Sequence, residues 1–199
     1  PAPEQVTRLQ EIREGKAWIE ETFQRECVGL RPGCGFTEGL RGDAWLADAV
    51  AKAGFRYVSS VLWGPDYTVP ALLEAPYTYA DEGHPDLWEL PGHGWHENLL
   101  KAHNLTVQAR RIVAWPSPFP EAVPLRRIKP PEEEFAVNRL FIDRAIELGV
   151  PYVSLIWHPW SLARFDPAMT MLKLTFAYVQ ERGLEATTYA AEWQRLANR

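Results

Sequence analysis

Hydrophobic positions along the chain fall into segments that alternate between helical and strand spacing. Val6, Leu9, Ile12, Ile19 and Phe23 recur at roughly helical intervals with charges between them, which predicts a first helix. CVGLR at 27–31 is a short apolar strand, broken by PGCG. Leu40, Trp45, Leu46, Ala49, Val50 and Ala53 form a second helical stripe that Gly54 suits as a C-cap. FRYVSSVLW at 55–63 is rich in β-formers and reads as the next strand. A loop rich in Pro, Tyr and Asp follows, and DLWEL at 86–90 is a third strand, closed by Pro91-Gly92.

From 97 to 131 the pattern weakens. Residues 98–103 read as a short helix, RRIVAW as a short strand, and SPFPEAVPLRRIKPP as a loop longer than most inside a compact domain. Pro131 followed by three glutamates opens a helix, because Pro tolerates the first turn and carboxylates face the positive end of the dipole. That helix runs to about Leu148 and stops at Gly149. YVSLIWH at 152–158 reads as the clearest strand. Asp166-Pro167 starts another helix ending near Gly183, LEATT at 184–188 is a fifth strand, and YAAEWQRLAN is the closing helix.

Strands alternating with helices predict an α/β fold with a parallel sheet or barrel, within one domain spanning 1–199 and carrying an irregular excursion at about 98–131. About five strands fall short of the eight of a complete (β/α) barrel. Chemistry in such folds sits at the carboxyl ends of strands. That rule nominates Arg31, Trp63, Pro91 through His96, and His158.

Composition narrows the picture further. The 199 residues are 46% hydrophobic and 24% charged, with a formal net charge of −5, which excludes a disordered, collagen-like or coiled-coil chain. No apolar run reaches the ~20 residues needed to span a bilayer. The opening PAPEQVTRLQEIREGK lacks the apolar core of a signal peptide, and the compartment stays open. Net acidity and the lack of a basic stripe argue against nucleic acid as a partner. Nine Trp imply large aromatic surfaces, in the core or along a groove. Cys27 and Cys34 cannot make a disulfide framework or a structural zinc site by themselves.

His158 leaves an apolar strand before Pro159-Trp160. It is placed either for proton transfer near neutral pH or as a histidine bonded to a strand-end carbonyl. Arg31 either holds a carboxylate in two-point geometry or is a surface arginine at a turn. His93, His96 and Glu97 in PGHGWHEN could form a His₂–carboxylate metal set, but the glycines and Pro91 argue against the helix that an H-x-x-H site needs; loop histidines beside Trp95 are the simpler reading. Ser59-Ser60 reads as polar residues within a strand. Gly-rich phosphate loops, G-x-S-x-G and H-E-x-x-H are all missing from the sequence.

Taken in order, these segments resemble NodB-homology polysaccharide deacetylases (carbohydrate esterase family 4). Residues 2–40 resemble the family's amphipathic helix leading into an R-x-P-x-G turn, here Arg31-Pro32-Gly33-Cys34-Gly35. AVAKAGFRYVSSVLWGPDY resembles its helix, G-[FY]-x-Y strand and S-S-L turn. DLWELPGHGWHENL resembles the E-[LI]-P-x-x-W strand of the branch with peptidoglycan deacetylases and allantoinase-like amidohydrolases. YVSLIWHPWSLARFDPAMTMLKLTFAYVQERGLEATTYAAEW resembles the closing L-x-x-H-P strand, helix and last strand.

The resemblance implies a distorted (β/α) barrel and a divalent metal, most often zinc, that activates water against an N-acetyl group or a related linear or cyclic amide. It makes His158 the acid that protonates the leaving amine. It makes Arg31 the residue that orients the catalytic aspartate. It places Ile156 and Trp157 on the strand forming the acetyl pocket, and Trp63 and Trp95 along the substrate groove.

The departures are as informative. The family takes its base and first metal ligand from an Asp-Asp pair and two more ligands from H-x-x-x-H, and this chain contains neither. Gly33 stands where a second proline is usual, Cys34 where an aromatic is usual, and Val58 where relatives often have Asp. The expectation is therefore a partial barrel lacking its first strands, with no family metal ligands of its own. An upstream segment or a second subunit, as in a homo-oligomer, would cover its open edge. Three functions compete. One is an amide C–N hydrolase of which this is the C-terminal portion. A second is a catalytically dead carbohydrate-binding remnant, with a glycan or small amide as ligand in either case. The third relocates a metal to His93, His96 and Glu97.

Overall fold

The computed structural model describes residues 2–33, 35–64, 71–93 and 130–198. Within them the chain is mixed α/β. The helices are α1 (Pro3–Phe23), α2 (Ala44–Lys52), α3 (Pro131–Glu147), α4 (Pro159–Phe165), α5 (Thr170–Glu181) and α6 (Tyr189–Ala197). The strands are β1 (Gly29–Leu30), β2 (Tyr57–Val58), β3 (Tyr77–Tyr79) and β4 (His84–Glu89). Two compact units emerge. One comprises Pro1–Ser60, Pro76–Leu90 and Thr188–Arg199; the other comprises Val61–Ala75 and Pro91–Thr187.

The first unit holds the sheet, in the order β1-β2-β4-β3. β1, β2 and β4 run parallel, with Leu30 beside Val58 and Val58 beside Glu89; β3 is antiparallel to β4. Core positions are supplied by Leu40, Ala47, Val50, Phe55, Val58, Tyr79 and Leu87, so α2 and the sheet share one apolar face. Asp43 caps α2, its Oδ1 accepting the Leu46 N–H at 3.0 Å. α1 is different: none of its residues is buried. Leu9, Ile12 and Ile19 of the predicted stripe are half-buried, while Val6 and Phe23 are exposed and Trp18 is 65% exposed.

β3 lies where the sequence reading has only a loop. Tyr-Thr-Tyr followed by a turn at Ala80–Gly83 closes a hairpin onto β4, with a register shift between Thr78 and Tyr79. Of the strand predicted at 55–63, Tyr57–Val58 joins the sheet and Val61 makes an isolated bridge. Ser59 and Ser60 therefore lie just past the end of β2 rather than within it.

In the second unit α3 packs on α5. Val137, Phe141, Ile142 and Ala145 are buried, and the Asn138 amide donates to Thr175 Oγ1 at 3.3 Å. The Tyr178 hydroxyl donates to Asp143, which also faces Arg182 at 3.4 Å. Two expectations fail here. YVSLIWH at 152–158 is not a strand, and neither is LEATT at 184–188. An apolar run becomes a strand only when a partner edge takes its backbone groups. At Ser154 a side chain does so: the Ser154 N–H donates to His93 Nδ1. The helix expected from Asp166 to near Gly183 forms as α5 but starts at Thr170, and a further helix, α4, precedes it. α4 begins at Pro159, and Asp166 ends it and caps α5, its carboxylate accepting from the Thr170 and Met171 N–H groups at 2.9 and 2.8 Å. The helix expected at 98–103, the strand RRIVAW and the loop through residue 129 lie outside the described residues, as does Cys34.

Candidate functional site

In the first unit, the carboxyl ends of β1, β2 and β4 bring together Arg31, Ser59, Ser60 and Glu89. Ladder bonds set this up: Ser59 N–H donates to Leu30 C=O at 2.9 Å and Leu90 N–H donates to Val58 C=O at 2.8 Å. The three strand ends are thereby held level.

Glu89 is 0% exposed. A buried carboxylate is tolerable only when hydrogen-bonded. Here Ser60 N–H donates to Oε1 at 2.7 Å, Ser60 O–H to Oε2 at 2.6 Å, and Tyr79 O–H to Oε2 at 2.5 Å. The Tyr79 oxygen in turn accepts the Leu40 N–H at 3.0 Å. Burial, and then the adjacent Glu89 carboxylate, push the Tyr79 phenol well above its ordinary range. Gly39 closes the network. Its φ is +67°, and a Cβ there would lie 2.6 Å from the Tyr79 hydroxyl, so only glycine fits. This enclosed cluster ties the ends of β2 and β4 to the segment before α2. Solvent cannot reach it, so its chemistry is structural.

Arg31 is the exposed counterpart. Its Nη2 donates to Ser59 Oγ at 2.8 Å and to the Tyr189 hydroxyl at 2.7 Å, and its guanidinium lies 5.1 Å from the Tyr189 ring centroid. Among the described residues no carboxylate pairs with it. Tyr57 stacks 6.4 Å from Tyr189 and 6.2 Å from Trp193, fastening α6 to the sheet. The Tyr57 ring also covers Gly29, where a Cβ would meet it at 2.1 Å.

In the second unit, His93 is also fully buried. Its Nε2 lies 2.7 Å from Glu74 C=O and its Nδ1 receives the Ser154 N–H at 3.4 Å, which fixes the tautomer as Nε2–H. Tyr152 lies 5.0 Å away, ring to ring, and donates its O–H to Pro91 C=O at 2.7 Å. Burial pushes the His93 imidazole down to about 4, against the opposing pull of the Glu74 carbonyl. His158 is half-buried and forms the N-cap position of α4; its carbonyl accepts the Leu162 N–H, and its ring lies 6.1 Å from Trp160. Trp63, Ile156 and Trp157 are half-buried. The Trp157 ring lies 6.2 Å from Phe176, and its buried indole N–H has no acceptor among the described residues. Trp95, His96 and Glu97 lie outside the described residues.

Among the described residues no group of three His, Cys, Asp or Glu side chains is disposed to hold a metal ion. Both nitrogens of His93 are already engaged within the fold. With no Asp-Asp and no H-x-x-x-H in the sequence, the described residues do not supply the family's ligands for the divalent metal that the resemblance implies. Comparison of the chain with protein-family models, curated proteins and solved structures gave no match.

Ser59, Ser60, Tyr79, Glu89 and Tyr189 are the residues that sequence reasoning missed as organisers of the strand ends. The Ser-Ser pair directly after Tyr57-Val58 was the available signal.

Proposed function

We propose that this chain is an α/β domain of the polysaccharide deacetylase type, part of a distorted barrel, directed at the amide of an N-acetylated sugar or a related linear or cyclic amide. We propose further that by itself it holds this class of substrate without metal-dependent turnover. One observation carries the reading. The strands bearing the R-x-P, G-[FY]-x-Y and E-[LI]-P resemblances, β1, β2 and β4, are neighbours, parallel and in register, and they end together at Arg31, Ser59 and Leu90. Ligands of α/β sheets sit outside the carboxyl ends of strands.

In this reading Arg31 orients the substrate's polar group, held in place by Ser59 and Tyr189. The resemblance gives His158 the role of the acid that protonates the leaving amine. The chain carries neither the family's Asp-Asp nor its H-x-x-x-H, and among the described residues no group of three side chains is disposed to hold a metal. Water without such help is a poor nucleophile at pH 7. The reading therefore favours binding over hydrolysis.

Calorimetric titration of an N-acetylglucosamine tetramer, muramyl dipeptide and hydantoin tests this, alongside product-release assays with and without added zinc. Saturable binding of at least one of them, weakened in Arg31→Gln, with release at the level of the blank, is expected. Stoichiometric zinc with turnover would overturn the non-hydrolytic half of the proposal and make the chain an active hydrolase. Failure to bind any of the three would overturn all of it.

A further inference from the structure

The geometry points to a second property of the strand ends, one that shares Arg31 with the proposed amide site but stands whether or not that reading holds: Arg31 is the anchor of a binding site for a carboxylate borne on a ring-containing small molecule. Three observations converge on it. First, the guanidinium is exposed yet fixed. A long cationic side chain at a surface ordinarily keeps its rotamer freedom, and restricting it opposes folding. Here Nη2 is held by two hydroxyls from distant parts of the chain, Ser59 after β2 and Tyr189 at the start of α6, and the guanidinium stacks over the Tyr189 ring.

Second, the charge is not neutralised within the fold. No carboxylate among the described residues pairs with Arg31, and Nε and Nη1 have no partner among them. Arg139, Arg144, Arg182 and Arg195 each face an Asp or Glu by contrast. Third, the rings of Tyr57, Tyr189 and Trp193 form an apolar flank.

One positive charge and an aromatic flank suit a monoanion with a ring. A phosphate dianion would call for a second cation, and none of the groups bonded to or stacked on Arg31 is one.

The test is NMR titration of the ¹⁵N-labelled chain with sodium acetate, sodium benzoate and sodium phosphate at constant ionic strength, reading the Arg31 Nε–H signal and the Ser59 and Tyr189 amides. Saturable shifts with benzoate, weaker ones with acetate and weaker still with phosphate are expected. Arg31→Gln should weaken benzoate binding about tenfold or more, the worth of a charge-assisted hydrogen bond. Ser59→Ala should weaken it less. Phosphate binding as tight as benzoate would overturn the carboxylate assignment, and linear shifts without saturation would overturn the site. Should Arg31→Gln fail to fold, the Arg31 Nε–H signal of the unaltered chain decides alone.

Discussion

His93 makes the stability of its unit fall on acidification, by an amount the structure sets. The imidazole is fully buried, gives its Nε2 proton to Glu74 C=O and receives the Ser154 N–H on Nδ1. Protonation would expel that second bond and place a charge where water cannot reach. Its folded value of about 4 stands against an ordinary 6.5. Above pH 6.5 the folded and unfolded chains are both neutral at this site, and the native contacts contribute in full. Between 6.5 and 4 the unfolded chain takes up a proton that the folded chain refuses, so stability declines with falling pH. Below about 4 the loss is complete. Each pH unit of difference is worth about 1.4 kcal/mol, so the loss amounts to about 3 kcal/mol. Urea denaturation from pH 7 to 4, for the natural chain and for His93→Gln, isolates this from other titrations. The difference between the two should shrink by about 3 kcal/mol across that window. Parallel pH profiles, or an NMR titration placing His93 near 6.5, would refute the reasoning.

Three other changes test the account elsewhere. Tyr79→Phe removes one donor from buried Glu89 and leaves the Leu40 N–H without its acceptor, so it should lower unfolding stability in urea by about 2–4 kcal/mol. Gly15→Ala lies mid-α1 with open space where the Cβ would go, and should raise stability by up to about 1 kcal/mol in the same assay. Asp166→Ala strips the cap from α5 and should cost about 1–2 kcal/mol, visible as a lower thermal midpoint.

Helices were the most legible part of the fold where local chemistry marked their ends. Pro131, three glutamates and Gly149 bracket α3, and Asp43 and Gly54 bracket α2, because capping and φ > 0 are properties of one or two residues. The strand at 86–90 was legible from its composition. What failed depended on partners distant in sequence. YVSLIWH has the residues of a strand, but composition says nothing about whether a neighbouring edge will accept its backbone. Tyr77–Tyr79 was hidden by the prolines and acids around it until Gly83 is read as a hairpin turn. At the strand ends, Arg31 was nominated correctly as lying there, but its partner Tyr189 is 158 residues away. Ser60 and Glu89, 29 residues apart, look polar and unremarkable until β2 and β4 are paired.

The claim that the carboxyl ends of β1, β2 and β4 receive the ligand is tested most directly by mapping amide chemical shifts on adding the N-acetylglucosamine tetramer. The account predicts perturbations gathered at Arg31, Ser59, Ser60 and Leu90. Perturbations confined to the opposite ends of the strands, where Arg56, Gly83, His84 and Asp86 line a shallow cavity, would contradict it.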